Sequence, residues 1–178
     1  MVYYPMAYNI ERYPLHLALG GDDQGGGLEQ NAFELRMLCD FIKLHEIKSY
    51  LEIGIAKGWL MKFMRDEMQL TVKGITLDKY PEHEGLPVTY VSSQDIEWFG
   101  QKHDLIFVDG NHSYEGVKSD YNKFYRNCKF MAFHDICGHR NCGGVNKLWE
   151  EIKNKHEDYW EFIAPNKEYQ SGIGIICG

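Results

Sequence analysis

Several short runs in this chain combine residue types and spacings that suit chemistry. The first is Glu52-Ile53-Gly54-Ile55-Ala56-Lys57-Gly58, an acid followed by two spaced glycines. Glycines in such a turn let the backbone approach a ligand and take φ angles that other residues resist. A dinucleotide fingerprint needs a further glycine to seat a pyrophosphate on the helix N-terminus. That glycine is missing, and an acid opens the run. An acid there suits a ligand carrying a positive ammonium group. The remaining runs are Asp78, then Ser92-Ser93-Gln94-Asp95, then Asp109-Gly110-Asn111-His112, then His134-Asp135. A carboxylate such as Asp78 accepts two hydroxyl hydrogen bonds from a ribose. Ser93, Gln94 or Asp95 offers a polar contact for an adenine amino group.

These residues matter together only if the chain brings them together, and the elements between them do so. Apolar periodicity predicts a helix over 29–45, a strand over 49–53 and a helix over 57–68. Strands follow over 72–77, 88–91 and 104–108, then a helix over 114–127 and a strand over 130–133. A helix over 145–155 and strands over 159–163 and 173–177 close the chain. Alternating strands and helices predict an α/β fold, a parallel sheet with helices on both faces. The last two strands have no helix between them, so they form an antiparallel hairpin. In such sheets the ligand lies beyond the carboxyl ends of the strands. Glu52, Asp78, Ser93, Asp109 and His134-Asp135 all fall at such ends, while the strand bodies are apolar.

Asp109 and Asp135 end neighbouring strands about 5 Å apart. Two acids so placed repel unless a proton or cation lies between them. That spacing points to a divalent metal held by Asp109 and Asp135 with His134 beside them; the alternative is that the two acids cap a helix and a turn. Oxygen ligands favour Mg²⁺ or Mn²⁺. His112 and His134 have the pKa range of a general base, and His112 alternatively braces its own loop. A rival reading takes His134, Cys137, His139 and Cys142 as an H-x-x-C-x-H-x-x-C zinc run, cramped beside the separated ligand pairs of structural zinc sites. Tyr114, Tyr121 and Trp149 read as packing residues.

The run Phe107-Val108-Asp109-Gly110-Asn111-His112-Ser113-Tyr114-Glu115-Gly116-Val117-Lys118-Ser119-Asp120, followed by Phe133-His134-Asp135 and Gly144-Val145, resembles the class I S-adenosylmethionine (SAM)-dependent methyltransferases. It is most similar to the branch related to cephalosporin hydroxylase and macrolide-sugar O-methyltransferases. There, D-G-x-H-x-Y-x-x-V-x-x-D and a later H-D recur in this order. The resemblance runs from about residue 30 to the end. It implies a Rossmann-like three-layer sandwich whose mostly parallel, seven-stranded sheet has an antiparallel last strand, with SAM as cofactor and often a divalent metal. SAM carries the ammonium that Glu52 suits; NAD does not. The implied roles place Glu52, Gly54 and Gly58 at the methionine end of SAM, Asp78 at the ribose, and Ser93, Gln94 or Asp95 at the adenine. Asp109 borders both cofactor and metal, and Asp109, His112 and His134 serve catalysis. The chain departs from the family before strand five, where Arg126-Asn127-Cys128-Lys129 replaces the usual Gly-Gly. Methylation of a hydroxyl on a small molecule or sugar is the expected activity. A SAM- or nucleotide-binding partner subunit without transferase activity is the alternative, and an NAD-dependent oxidoreductase the next.

Composition narrows the classes further. The 178 residues are 44% hydrophobic and 25% charged, enough for one domain with a core. The net charge of −7 disfavours nucleic acid and anionic membrane as partners, and no apolar run approaches the roughly 18 residues of a membrane span. Five cysteines at irregular spacings fit reduced thiols in a cytoplasmic protein; a homo-oligomer is compatible. Residues 1–28, with Gly20 to Gly27, read as a flexible arm or a lid before a domain over 29–178.

Overall fold

The computed structural model describes residues 28, 30–97, 101–138, 141–165 and 171–178. Seven strands, β1 (Ser49–Ile53), β2 (Thr71–Thr76), β3 (Val88–Tyr90), β4 (His103–Val108), β5 (Cys128–His134), β6 (Tyr159–Phe162) and β7 (Ile173–Cys177), form one sheet. Their order is β3-β2-β1-β4-β5-β7-β6. The first five pair in parallel, and β7 runs antiparallel between β5 and β6. The expected reversed last strand is therefore present. Its place inside the sheet, rather than at its edge, gives β5 two neighbours.

Helices α1 (Ala32–Leu44) and α2 (Trp59–Asp66) cover one face, and α3 (Tyr114–Phe124) and α4 (Gly143–Ile152) the other. Alternation within the central strands sorts the core into two layers. Leu105 and Phe107 face Leu35, Leu38, Phe41, Met61 and Phe63. Ile106 and Val108 face Val117, Phe124, Val145, Leu148 and Trp149. A strand buried on both faces reads as an unbroken apolar run, as β4 does. Asn31 caps α1 by accepting from the Phe33 N–H (2.9 Å), and Ser113 caps α3 by accepting from Gly116 N–H (3.1 Å), each satisfying a donor the helix leaves open.

The sequence boundaries shift at a few ends. β5 begins at Cys128 rather than residue 130, because buried Cys128 and Phe130 alternate with exposed Lys129 across the pleat. The turn that replaces Gly-Gly is a 3₁₀ turn, Tyr125–Asn127. β2 ends at Thr76, leaving Leu77 outside it and 71% exposed. The glycine run Gly20 to Gly27 lies outside the described residues, whereas Leu28 is fully buried in the layer under α1. All five cysteines are free thiols. Among the described residues no helix is long and apolar enough to cross a membrane.

Far from the ligand end, the starts of β1 and β4 are clamped. Asp104 Oδ2 accepts from Lys48 N–H (2.8 Å), Ser49 N–H (2.9 Å) and Ser49 Oγ–H (3.0 Å), and Asp104 N–H donates to Ser49 Oγ (2.8 Å). These bonds hold the Asp104 carboxyl below the usual range, against the burial that would raise it.

Candidate active site

Strand order reverses between β1 and β4, and the acids gather around that point. Beyond β1, Gly54 has φ +81°, and a Cβ on it would stand 2.3 Å from the Asp109 carbonyl oxygen and 2.4 Å from Gly110 Cα. The turn therefore needs glycine both for its left-handed backbone and for the close approach of the chain leaving β4. On that side of Gly54 the space is taken by the Asp109-Gly110 backbone. Asp109 N–H donates to Ile53 O (2.8 Å) and locks the two strand ends together. Gly58 precedes α2 with φ +77°, against the Leu86 side chain. Glu52 is buried and accepts from the Tyr50 hydroxyl (2.9 Å). Asp78 stands exposed after β2, its N–H donating to Thr76 Oγ1 (3.3 Å). Ser93, Gln94 and Asp95 form a turn after β3, and Lys123 of α3 pins that turn by donating to the carbonyls of Ser93 (2.7 Å), Gln94 (2.5 Å) and Ile96 (3.3 Å).

The ends of β4 and β5 converge on a tighter cluster. His134 Nδ1 lies 3.2 Å from Asp109 Oδ2 and 3.5 Å from Asp135 Oδ2. His112 Nε2 lies 3.3 Å from Asp109 Oδ1 and 3.3 Å from Asp135 Oδ2. Gln30 Nε2 donates to Asp109 Oδ2 (3.2 Å), and Cys142 Sγ donates to Asp135 Oδ2 (3.2 Å). The two histidines differ in access. The His112 side chain is 35% exposed, that of His134 only 5%. Despite the short separations, neither ring nitrogen of His134 has a hydrogen-bond partner among the described residues. The donor atoms are close enough to share a third centre.

Charge couples the cluster. Burial would lower the His134 pKa, but the Asp109 and Asp135 carboxylates outweigh it and push the imidazole up to about 10. Burial would raise the Asp109 carboxyl, and His134 with His112 instead holds it below the usual carboxylate range. The hydrogen bond to Asp109 raises the His112 pKa against desolvation. Behind the cluster, Glu34 of α1 is fully buried; its Oε1 accepts from Ala164 N–H (3.0 Å) while Oε2 has no hydrogen-bond partner among the described residues, and burial pushes its carboxyl up.

Backbone geometry fixes the cluster. Asp135 has φ +61°, a left-handed conformation that costs a non-glycine residue roughly 1–3 kcal/mol and gathers at functional sites. Asn146 Nδ2 donates to Ile136 O (2.7 Å), and Cys137 N–H to Ser171 O (2.9 Å), holding the loop after β5. Within the zinc-like run, His134 and Cys142 both reach Asp135, while Cys137 lies at the loop's partly exposed edge and His139 lies outside the described residues. Three contributors have no signal in the local sequence: Gln30, just before α1, Glu34 of α1 and Lys123 of α3. The signal for Cys142 was its presence in that run.

Neither a protein-family model nor a curated protein matches this chain. Solved structures do. A candidate caffeoyl-CoA O-methyltransferase from Staphylococcus aureus aligns with TM-score 0.62 and 17% identity, over 84% of this chain and 85% of that one. The plantazolicin methyltransferase BpumL, in complex with S-adenosylhomocysteine (SAH), aligns with TM-score 0.59 and 9% identity, over 82% and 83%. The O-methyltransferase TomG from Streptomyces achromogenes, in complex with SAM, aligns with TM-score 0.54 and 13% identity, over 80% and 78%. The fold is the Rossmann-like fold of these methyltransferases. Identities this low speak for the fold alone, so what the chain does rests on its own residues.

Proposed function

We propose that this protein is a SAM-dependent methyltransferase that methylates a hydroxyl of a small molecule or sugar with the help of a divalent cation. The observation that carries the reading is the pair of acids, Glu52 and Asp78, at the ends of adjacent strands beside the point where strand order reverses. Glu52 serves the ammonium of the methionine moiety, and Asp78, free at the surface, takes the ribose hydroxyls. Leu77 offers an apolar face for the purine, and the turn at Ser93, Gln94 and Asp95 its polar edge. Similarity in fold to structures that hold SAM or SAH adds support.

Asp109 lies between the two halves of the site, reached from β1 and from the histidine cluster. His112 sits on the accessible side, so it is the residue to take the acceptor's proton. His134 is sealed inside and instead positions Asp109 and Asp135. The Asp109, His134 and Asp135 set fits a cation: its donor atoms lie within 4.8 Å of one another, and the imidazole nitrogens of His134 are buried without hydrogen bonds among the described residues. A cation there would lower the acceptor hydroxyl's pKa and orient it. Alignment of acceptor and methyl group supplies the rest of the rate, as in any in-line transfer.

A thermal-shift screen with SAM, SAH, NAD and NADP tests the cofactor. A ligand at 100 times its Kd stabilises by about 2.7 kcal/mol. Stabilisation by SAM and SAH is expected; stabilisation by NAD or NADP alone contradicts the reading.

A further inference from the structure

The donors around Asp135 are mixed: carboxylate, imidazole and thiol. Two overlapping sets share this carboxylate: Asp109, His134 and Asp135 on one side, His112, Asp135 and Cys142 on the other. Whichever side an ion takes, it meets an imidazole, and on one side it also meets a thiol. Magnesium and calcium select oxygen donors. Imidazole suits zinc, iron and copper, and thiolate selects softer ions still.

The spacings lie at the short edge of a zinc site's range, closer to it than to the magnesium value. Bonds of 2.0–2.3 Å in a tetrahedral zinc site put neighbouring donors roughly 3.3–3.7 Å apart. Bonds of 2.0–2.1 Å in octahedral magnesium put them about 2.9 Å apart. Here Asp135 Oδ2 lies 3.3 Å from His112 Nε2 and 3.2 Å from Cys142 Sγ, and His134 Nδ1 lies 3.2 Å from Asp109 Oδ2. Cys142 also precedes the first turn of α4, where the helix dipole stabilises the negative charge of a bound thiolate.

We propose that this site takes a zinc-class ion, with Cys142 Sγ among its ligands, rather than magnesium. The thiol loses its proton to solvent when the ion binds. The inference rests on the cation-assisted reading above, replaces the Mg²⁺ or Mn²⁺ site of Asp109, Asp135 and His134 expected from sequence, and makes His112 a ligand of the ion rather than the base. It also joins the two metal readings of the sequence, since His134 and Cys142 of the zinc-like run meet the Asp109 and Asp135 pair at one carboxylate.

Cobalt(II) tests it without turnover. The full chain, stripped with a chelator and dialysed, is titrated with Co²⁺ while its absorption is followed. The expected result is a thiolate-to-cobalt charge-transfer band that saturates at one equivalent and disappears in Cys142→Ser, but persists in Cys137→Ser. Zn²⁺ at one equivalent bleaches the spectrum, whereas Mg²⁺ in about thousandfold excess leaves it unchanged. No band, a band that survives Cys142→Ser, or displacement by Mg²⁺ overturns the proposal. The competition between Zn²⁺ and Mg²⁺ uses the unaltered chain, so it decides even where Cys142→Ser does not fold. Calorimetry with SAH on the same protein separates the two readings. A cobalt band without SAH binding leaves the metal assignment standing and removes the transferase. SAH binding without a band does the reverse.

Discussion

A Cβ on Gly144 would stand 2.4 Å from the carbonyl oxygen of His112. The same added atom would lie 2.3 Å from Tyr114 N. The first turn of α4 therefore rests directly on the backbone of the loop that carries His112. This contact sets two distances at once, that of Cys142 from Asp135 and that of His112 from both carboxylates. Gly144→Ala has no room to relax, because its neighbours are backbone atoms. A loss of roughly 1–3 kcal/mol in urea unfolding is expected, the usual cost of overpacking. Weakened metal binding should accompany it. A variant as stable as the parent would show that the loop is free to move.

Asp135 has a backbone conformation that few residues tolerate. Asn shares with Asp the ability to occupy the left-handed region. Asp135→Asn is expected to fold with parent-like stability yet bind metal at least about tenfold more weakly. Asp135→Ala should lose about 1 kcal/mol more than Asn, from strain. Chemical denaturation and metal titration of the two variants check both parts. Equal metal affinity in Asp135→Asn and the parent would remove Asp135 from the ligand set.

The clamp at Asp104 predicts a pH dependence. Its folded pKa lies below the ordinary value of about 3.9 because Lys48 and Ser49 donate to it. A depressed carboxyl contributes stability that is present above the unfolded pKa and lost as pH falls through the folded one. Asp104→Ala should cost about 1–2 kcal/mol at pH 7. The difference from the parent should shrink below about pH 4. Urea unfolding of both proteins between pH 3 and 7 (roughly the span over which a carboxyl titrates) measures this. A constant difference across that range would mean that the clamp acts through shape rather than charge.

Much of this was readable from residue order, and the reason is periodicity. Unbroken apolar runs such as Leu105 to Val108 mark buried strands, and the polar residue after each run marks its ligand end. Asp109 and Asp135 could be paired because strands of that kind lie side by side. Two things were not readable. Absence of a helix between β6 and β7 predicts a hairpin, but not that β7 inserts beside β5. Nor does spacing show that Cys142 returns to Asp135, or that Ile136 and Cys137 are held by the bonds of Asn146 to Ile136 and Cys137 to Ser171. The thiol at Asp135 and the amide of Gln30 at Asp109 are products of that tertiary path. Boundaries failed at β5, where polar Lys129 occupies the open side of the strand, at β2, where apolar Leu77 lies exposed beyond it, and at helix ends.

The ribose contact gives a sharp mutational test. Asp78 is exposed and outside the core, so Asp78→Ala should leave the fold intact. Its loss should weaken SAH by roughly 1.5–3 kcal/mol, the range for hydrogen bonds to a charged group. Unchanged affinity would move the ribose to another residue. Asp109→Asn, in contrast, should reduce metal affinity while SAH binding through Glu52 and Asp78 persists.

Calorimetry of the purified chain with SAH and, separately, with NAD distinguishes a methyltransferase from an oxidoreductase. The acids Glu52 and Asp78 and the missing third glycine predict a saturable heat of binding with SAH and none with NAD. Saturable NAD binding, with no response to SAH or SAM, would contradict the methyltransferase assignment.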